Sequence, residues 1–228
     1  MKIKELKLYS NNLKEQKKFY TSLFGLELVN DTESSFTFKI GETLLLFRES
    51  DDYPYYHYAI NIPSNQILQS AKWLSERIDI LPYQGEEIVN FPNWNARSIY
   101  FYDADKNIVE FIARRNLNIN GDHSFTSKSL LHISEIGFPT DNVTRMVNKL
   151  NKDYSLEKYD CDLSKFCAVG DEYGLFIVVN YKLKKWLPAM DEVIPFPFEI
   201  KFDNSSGDSF NLRVETERII TLVSQKLI

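Results

Sequence analysis

The chain repeats itself, and an internal repeat restricts the fold more than any single motif. "IKELKLYSNNLKEQKKFYTSLFGLELV" reads as strand, Asn cap, amphipathic helix, Gly stop and strand. The helix turns Leu13, Tyr20, Leu23 and Phe24 to one side and Lys14, Lys17 and Lys18 to the other, and Gly25 supplies the stop. Three apolar runs follow, at 26–29, 36–40 and 44–47. "HYAINIP" opens a second unit with Ser64 as cap and a helix through Ile67, Ala71 and Leu74; strand-like "EEIVNF", "ARSIYFY" and "NIVEFIA" complete it. Residues 1–50 and 54–115 are therefore two copies of β-α-β-β-β. One copy cannot close a core, so the two are expected to associate into one α+β domain over 1–116, as paired modules forming a cupped mixed sheet.

A polar stretch over 117–127 reads as a linker, and 128–228 as a third, degenerate module with an irregular C-terminal extension. In it, "LLHISEIGFPTDNVTRMVNKL" gives strand, cap and helix, and "KFCAVGDEYGLFIVVN" gives two strands around a turn. "PFPFEIKFDN" and "SFNLRVET" pair as a hairpin across "SSGD", and "ERIITLVSQKL" suggests a closing helix of a truncated fourth unit.

Composition narrows the partners. The chain carries 27 basic and 32 acidic residues, and no segment clusters Lys and Arg as a phosphate backbone requires, so nucleic acid is not expected. No run approaches the roughly 18 apolar residues of a membrane span, and "MKIKELKLYS" lacks the apolar stretch of a secretory signal; the expectation is a cytoplasmic protein without a membrane partner. Cys161 and Cys167 have no metal-ligand spacing and are expected to be reduced core thiols.

Period-two alternation in "YYHYAINIP" puts Tyr56, Tyr58, Ile60 and Ile62 on one face and His57, Ala59 and Asn61 on the other. His57 is then either satisfied by a backbone carbonyl or a ligand. Glu110 interrupts an apolar strand between Val109 and Phe111, and a buried carboxylate is costly unless paired, which points to a metal or to an exposed edge. Glu5 holds in the first unit the place that His57 holds in the second, although Lys7 and Tyr9 on its face also suit a surface Glu–Lys pair.

"SIYFYDADKNIVEFIAR" resembles the final hairpin of vicinal oxygen chelate proteins, aromatic-Phe-x-Asp-Pro-Asp-Gly-Asn-x-x-Glu-Leu, with Ala104 and Lys106 replacing Pro and Gly. "HYAINIP" and "FYTSLFGLEL" match the same superfamily, which includes glyoxalase I, methylmalonyl-CoA epimerase, fosfomycin-resistance thiol transferases and extradiol dioxygenases. The resemblance implies a divalent metal held by the first and last strands of paired modules, here by His57, Glu110 and Glu5. "TLLLFR" offers no carboxylate for a fourth ligand. Mn, Fe, Zn or Ni suits such a set, with weight toward Mn or Fe because two ligands are carboxylates.

The implied protein is a metalloenzyme that chelates a small oxygen-rich or aromatic substrate; a non-catalytic drug or metabolite binder is the alternative. The match to the fosfomycin-resistance branch makes Tyr100 the candidate proton donor, with Glu5 as ligand or general base. Ser98 and Tyr102 share the Tyr100 face, Asn61 shares the His57 face, and Trp94 and Arg97 of "FPNWNARS" suggest a pocket rim. A homodimer follows by analogy only.

His57 is the one histidine in 1–116, which argues against ring cleavage, and the Gly-rich potassium loop of a fosfomycin site is missing. In the third module Ile133 matches His57 by register and His132 falls opposite unless a β-bulge intervenes, so no metal ligand is expected there.

Overall fold

Three β-α-β-β-β units follow one another along the chain, and a fourth, shorter group of strands comes after them. The computed structural model describes residues 1–122, 124–215 and 218–222; His123, expected to be solvated, and the 223–228 end of the expected closing helix lie outside them. The first unit comprises β1 (Lys2–Ser10), α1 (Leu13–Lys18), β2 (Leu28–Asp31), β3 (Ser35–Ile40) and β4 (Thr43–Glu49). The second comprises β5 (His57–Ile62), α2 (Ile67–Ser75), β6 (Val89–Phe91), β7 (Ala96–Tyr102) and β8 (Ile108–Arg114). The third comprises β9 (His132–Thr140), α3 (Val143–Tyr154), β10 (Lys158–Cys161), β11 (Phe166–Asp171) and β12 (Gly174–Asn180). After a short ribbon of β13 (Lys185–Trp186) and β14 (Asp191–Glu192), a fourth, shorter unit comprises, among the described residues, β15 (Phe198–Asp203), β16 (Ser209–Glu215) and β17 (Arg218–Thr221).

The modules pair into curled mixed sheets, but not in chain order. One sheet runs β17-β16-β15-β1-β4-β3-β2 and the other β10-β11-β12-β9-β5-β8-β7-β6. The second module thus borders the third across β5 and β9, and the first borders the fourth across β1 and β15. The expected cup between residues 1–50 and 54–115 is replaced by these two. Charge explains the pairing of the first unit with the fourth: antiparallel β1 and β15 set Glu5 opposite Lys201 and Lys7 opposite Glu199, both as ion pairs, at 2.9 and 2.7 Å.

One apolar cluster joins the two sheets. It takes Leu6 and Leu8 from β1, Tyr58, Ile60 and Ile62 from β5, and Phe198, Ile200 and Phe202 from β15. The first helix continues into a π-helical turn over Phe19–Leu23 that buries Tyr20, and Gly25 ends it at φ 68°. Tyr20 donates to Asp103 Oδ2 at 2.9 Å, and Gln16 and Asn107 donate to the same oxygen, so the acid of the "DADKN" turn is a buried anchor between the first two modules.

Three local readings need correction. Ser64 does not cap α2: its hydroxyl donates to the Arg114 carbonyl at 2.7 Å and the cap position is Gln66. Arg218–Thr221 is strand, because β-branched "RIIT" pairs with β16, setting Ile219 opposite Val214. Cys161 and Cys167 face each other across β10 and β11 with Cα atoms 4.0 Å apart and form a disulfide instead of two thiols. Among the described residues no helix is long and apolar enough to cross a membrane.

Candidate metal centre and its cavity

On the face of β5 turned away from the core, His57 is buried and its ring is fixed from behind. Nδ1 lies 3.1 Å from the Ile108 carbonyl, which requires it to carry the proton and leaves the lone pair on Nε2. That nitrogen lies 3.6 Å from Glu110 Oε2, and burial holds the His57 pKa low despite the pull of Glu110. Glu110 comes from β8, which runs parallel to β5 and sets Glu110 beside Ala59. A third group comes from β9: ligand atoms of His57, Glu110 and Glu135 all lie within 4.8 Å of one another, and all three residues are buried.

Glu135 is a candidate ligand from the third module, where the register of the sequence offers none. A register shift in the β5–β9 pair sets Glu135 opposite Ala59 and Ile133 opposite Ile60, so β9 bulges at Ser134. The bulge sends Ile133 and Ile136 into the core and brings His132 and Glu135 to the same side as Asn61 and His57. Glu5 stays away. It lies on β1 in the other sheet, half-buried, with Lys201 as its partner, so neither its ligand nor its general-base role has a place at this centre.

Charge decides what the centre can hold. Glu110 and Glu135 are 3% and 2% exposed, and one buried guanidinium, that of Arg114, pairs with Glu135. Two carboxylates against one cation leave a negative charge in a dry site, which must be met by a proton or a metal ion. Burial and Glu110 push the Glu135 carboxyl up to about 8, against the lowering effect of Arg114. An available imidazole nitrogen and two buried carboxylates fit a divalent cation with open positions for other ligands. Leu175 and Ile177 on β12 add no fourth donor.

A cavity of about 220 Å³ opens over these groups. Phe91, Trp94 and Phe166 form one wall, and Tyr100 and Trp186 stand beside His57, with ring centroids 6.3 and 5.1 Å from the imidazole. Burial and Glu110 raise the Tyr100 pKa well above its ordinary value, so its hydroxyl keeps the proton. Of the residues expected in the pocket, Trp94 and Tyr100 line it. Ser98 is buried on the same strand, Tyr102 turns to Asp191 at 2.6 Å, and Arg97 lies outside the lining.

Asn61 works behind the wall. Its Oδ1 accepts from Arg114 Nε at 3.3 Å, while its Nδ2 donates to the Glu172 carbonyl and lies 3.0 Å from His132 Nε2. His132 Nε2 is therefore an acceptor, and burial depresses its pKa to about 4. A histidine held neutral in the fold takes up its proton more readily when unfolded, so its contribution is present above pH 6.5 and lost as pH falls toward 4. Urea denaturation of wild type and His132→Gln at pH 7 and pH 4.5 is expected to show an acid loss larger in wild type by about 2 kcal/mol.

Of the wall residues that the sequence does not single out, Phe91, Phe166 and Trp186, the most telling is Trp186. It belongs to the segment between β12 and β15 and covers Gly137, where an added Cβ would lie 2.7 Å from its Cη2. Glycine is needed at 137 because the indole lies against the backbone of β9. Gly137→Ala is expected to displace Trp186 and cost about 1–3 kcal/mol, read as a lower urea midpoint and a red-shifted tryptophan emission.

The paired β-α-β-β-β modules, cupped around an inward-facing His and carboxylates, have the fold of the vicinal oxygen chelate proteins. A putative dioxygenase from Bacillus subtilis subsp. subtilis str. 168 aligns over 96% of this chain and 68% of its own, with TM-score 0.58 and 13% identity. Lactoylglutathione lyase from Agrobacterium tumefaciens aligns over 48% of this chain and 90% of its own (TM-score 0.40, 23% identity). Fosfomycin resistance protein FosX from Listeria monocytogenes, in complex with Mn(II), aligns over 49% and 87% (TM-score 0.39, 21% identity). No family model matches the sequence, and no curated protein does.

Proposed function

We propose that this protein is a divalent-metal-dependent enzyme that chelates a small oxygen-rich or aromatic molecule in the cavity between the second and third modules. The observation that carries the reading is the convergence of His57 Nε2, Glu110 and Glu135 in one buried cup. These three residues would hold the ion. A bound Mn, Fe, Zn or Ni ion would supply Lewis acidity toward adjacent substrate oxygens. The chain supplies the rest: the Ile108 carbonyl fixes the His57 tautomer, Arg114 orients Glu135, the protonated Tyr100 hydroxyl can donate a hydrogen bond, and Trp186 with Phe91 covers the site.

A second reading has its own support. Because Arg114 already pairs with Glu135, a cation is built into the centre, as suits a non-catalytic binder of small molecules in the same cavity. Metal analysis separates the two. Untagged protein, equilibrated with Mn(II) and desalted, is expected to retain about one ion per chain and His57→Ala none; wild type that retains no stoichiometric metal overturns the metalloenzyme reading in favour of the binder.

A further inference from the structure

The cavity's charges and aromatic walls define the kind of molecule it takes. Of its lining acids, Glu110 and Glu135 belong to the centre, and Asp160 accepts the indole N–H of Trp94 at 2.7 Å. Of its cations, Lys185 is exposed and paired with Glu192, whereas Lys184 is half-buried. Lys184 Nζ lies 4.4 Å from the centroid of Phe166 and forms no ion pair among the described residues. The neighbouring Asp162 is occupied, accepting the backbone N–H groups of Ser164, Lys165 and Phe166.

Arg114 alters the balance further. It offsets Glu135, so a divalent ion at the centre faces only Glu110 as an uncompensated ligand charge. With Lys184 and Asp160 both counted, the loaded cavity keeps one net positive charge, and Lys184 is its half-buried cation without a carboxylate partner among the described residues. Such a site favours a ligand that brings a negative charge, because desolvated charge must be matched. The walls are aromatic: Trp94 packs on Phe166 and Phe91 along one side, and Trp186 stands by the imidazole on another. An aromatic lining and a volume near 220 Å³ suit a single small ring.

We infer that the ligand is a small aromatic anion, such as an aromatic carboxylate, and that Lys184 is the residue that reads its charge. The inference rests on the metal reading above, and its test keeps the two separate. Salicylate, and its neutral isostere salicylamide, are titrated into Mn(II)-loaded, untagged protein by calorimetry. Salicylate is expected to bind at least about tenfold more tightly. Lys184→Met is expected to weaken salicylate about three- to tenfold and leave salicylamide within about twofold. Equal affinities for the two probes, or a Lys184→Met effect of the same size on both, overturn the inference while metal binding stands. Failure of the protein to take up Mn(II) overturns the metal reading itself.

Discussion

Arg114→Met is expected to destabilise the metal-free protein by about 3–5 kcal/mol at neutral pH, the range for removing one partner of a buried ion pair. The guanidinium is fully buried, pairs with Glu135, donates to Asn61 and lies 5.3 Å from the ring centroid of Trp94. Methionine fills much of the volume but removes the guanidinium that Glu135 and Asn61 bond, leaving a proton as the only balance for the two buried acids. A divalent ion restores the balance, so Mn(II) is expected to stabilise the variant more than it stabilises wild type. Denaturant titration of both proteins with and without Mn(II) checks this; a variant no less stable than wild type without metal would show that Arg114 does not balance the cup.

The second large effect separates two glutamates. Glu135→Ala is expected to lower Mn(II) affinity by more than about 100-fold, beyond the 10–100-fold loss typical of groups that only orient a ligand. Glu5→Ala removes a partly exposed pair with Lys201 on the other sheet and is expected to leave the affinity within about threefold. Calorimetric titration of the two variants side by side measures both. Equal losses would return Glu5 to the centre and undo the geometry of the β5–β9 seam.

That contrast also shows how far the residues alone could be read. The β-α-β-β-β units, the inward histidine and Glu110 were legible because strand alternation and an interrupted apolar run are local signals. Glu135 was hidden by the choice of yardstick. Aligned with the second unit through Pro63 and Pro139, the third offers Ile133. Aligned with the first through the cap residues Asn12 and Asn142, it offers Glu135, seven residues before its cap as Glu5 is before its own. The bulge at Ser134 favours the second alignment, and no local propensity announces it.

Which modules pair was partly written in charge. "KELKL" and "FEIKF" place Glu and Lys two apart, and only an antiparallel arrangement turns like-ordered pairs into opposite-charge contacts, as β1 and β15 do. Trp186 had no comparable signal. It lies in an irregular segment, and its value depends on a glycine almost fifty residues earlier in the chain.

The segment carrying Trp186 leaves the third module at β12 and ends in β15, the strand that the other sheet grips through β1. Tyr102 and Tyr55 fasten it midway, at Asp191 and at the Glu192 carbonyl. The roof of the cavity is therefore a span with one foot on each sheet, and its height above His57 is set by how the two sheets meet. In that sense the fourth unit, whose described residues contribute no group to the candidate centre, serves as the abutment of the cavity.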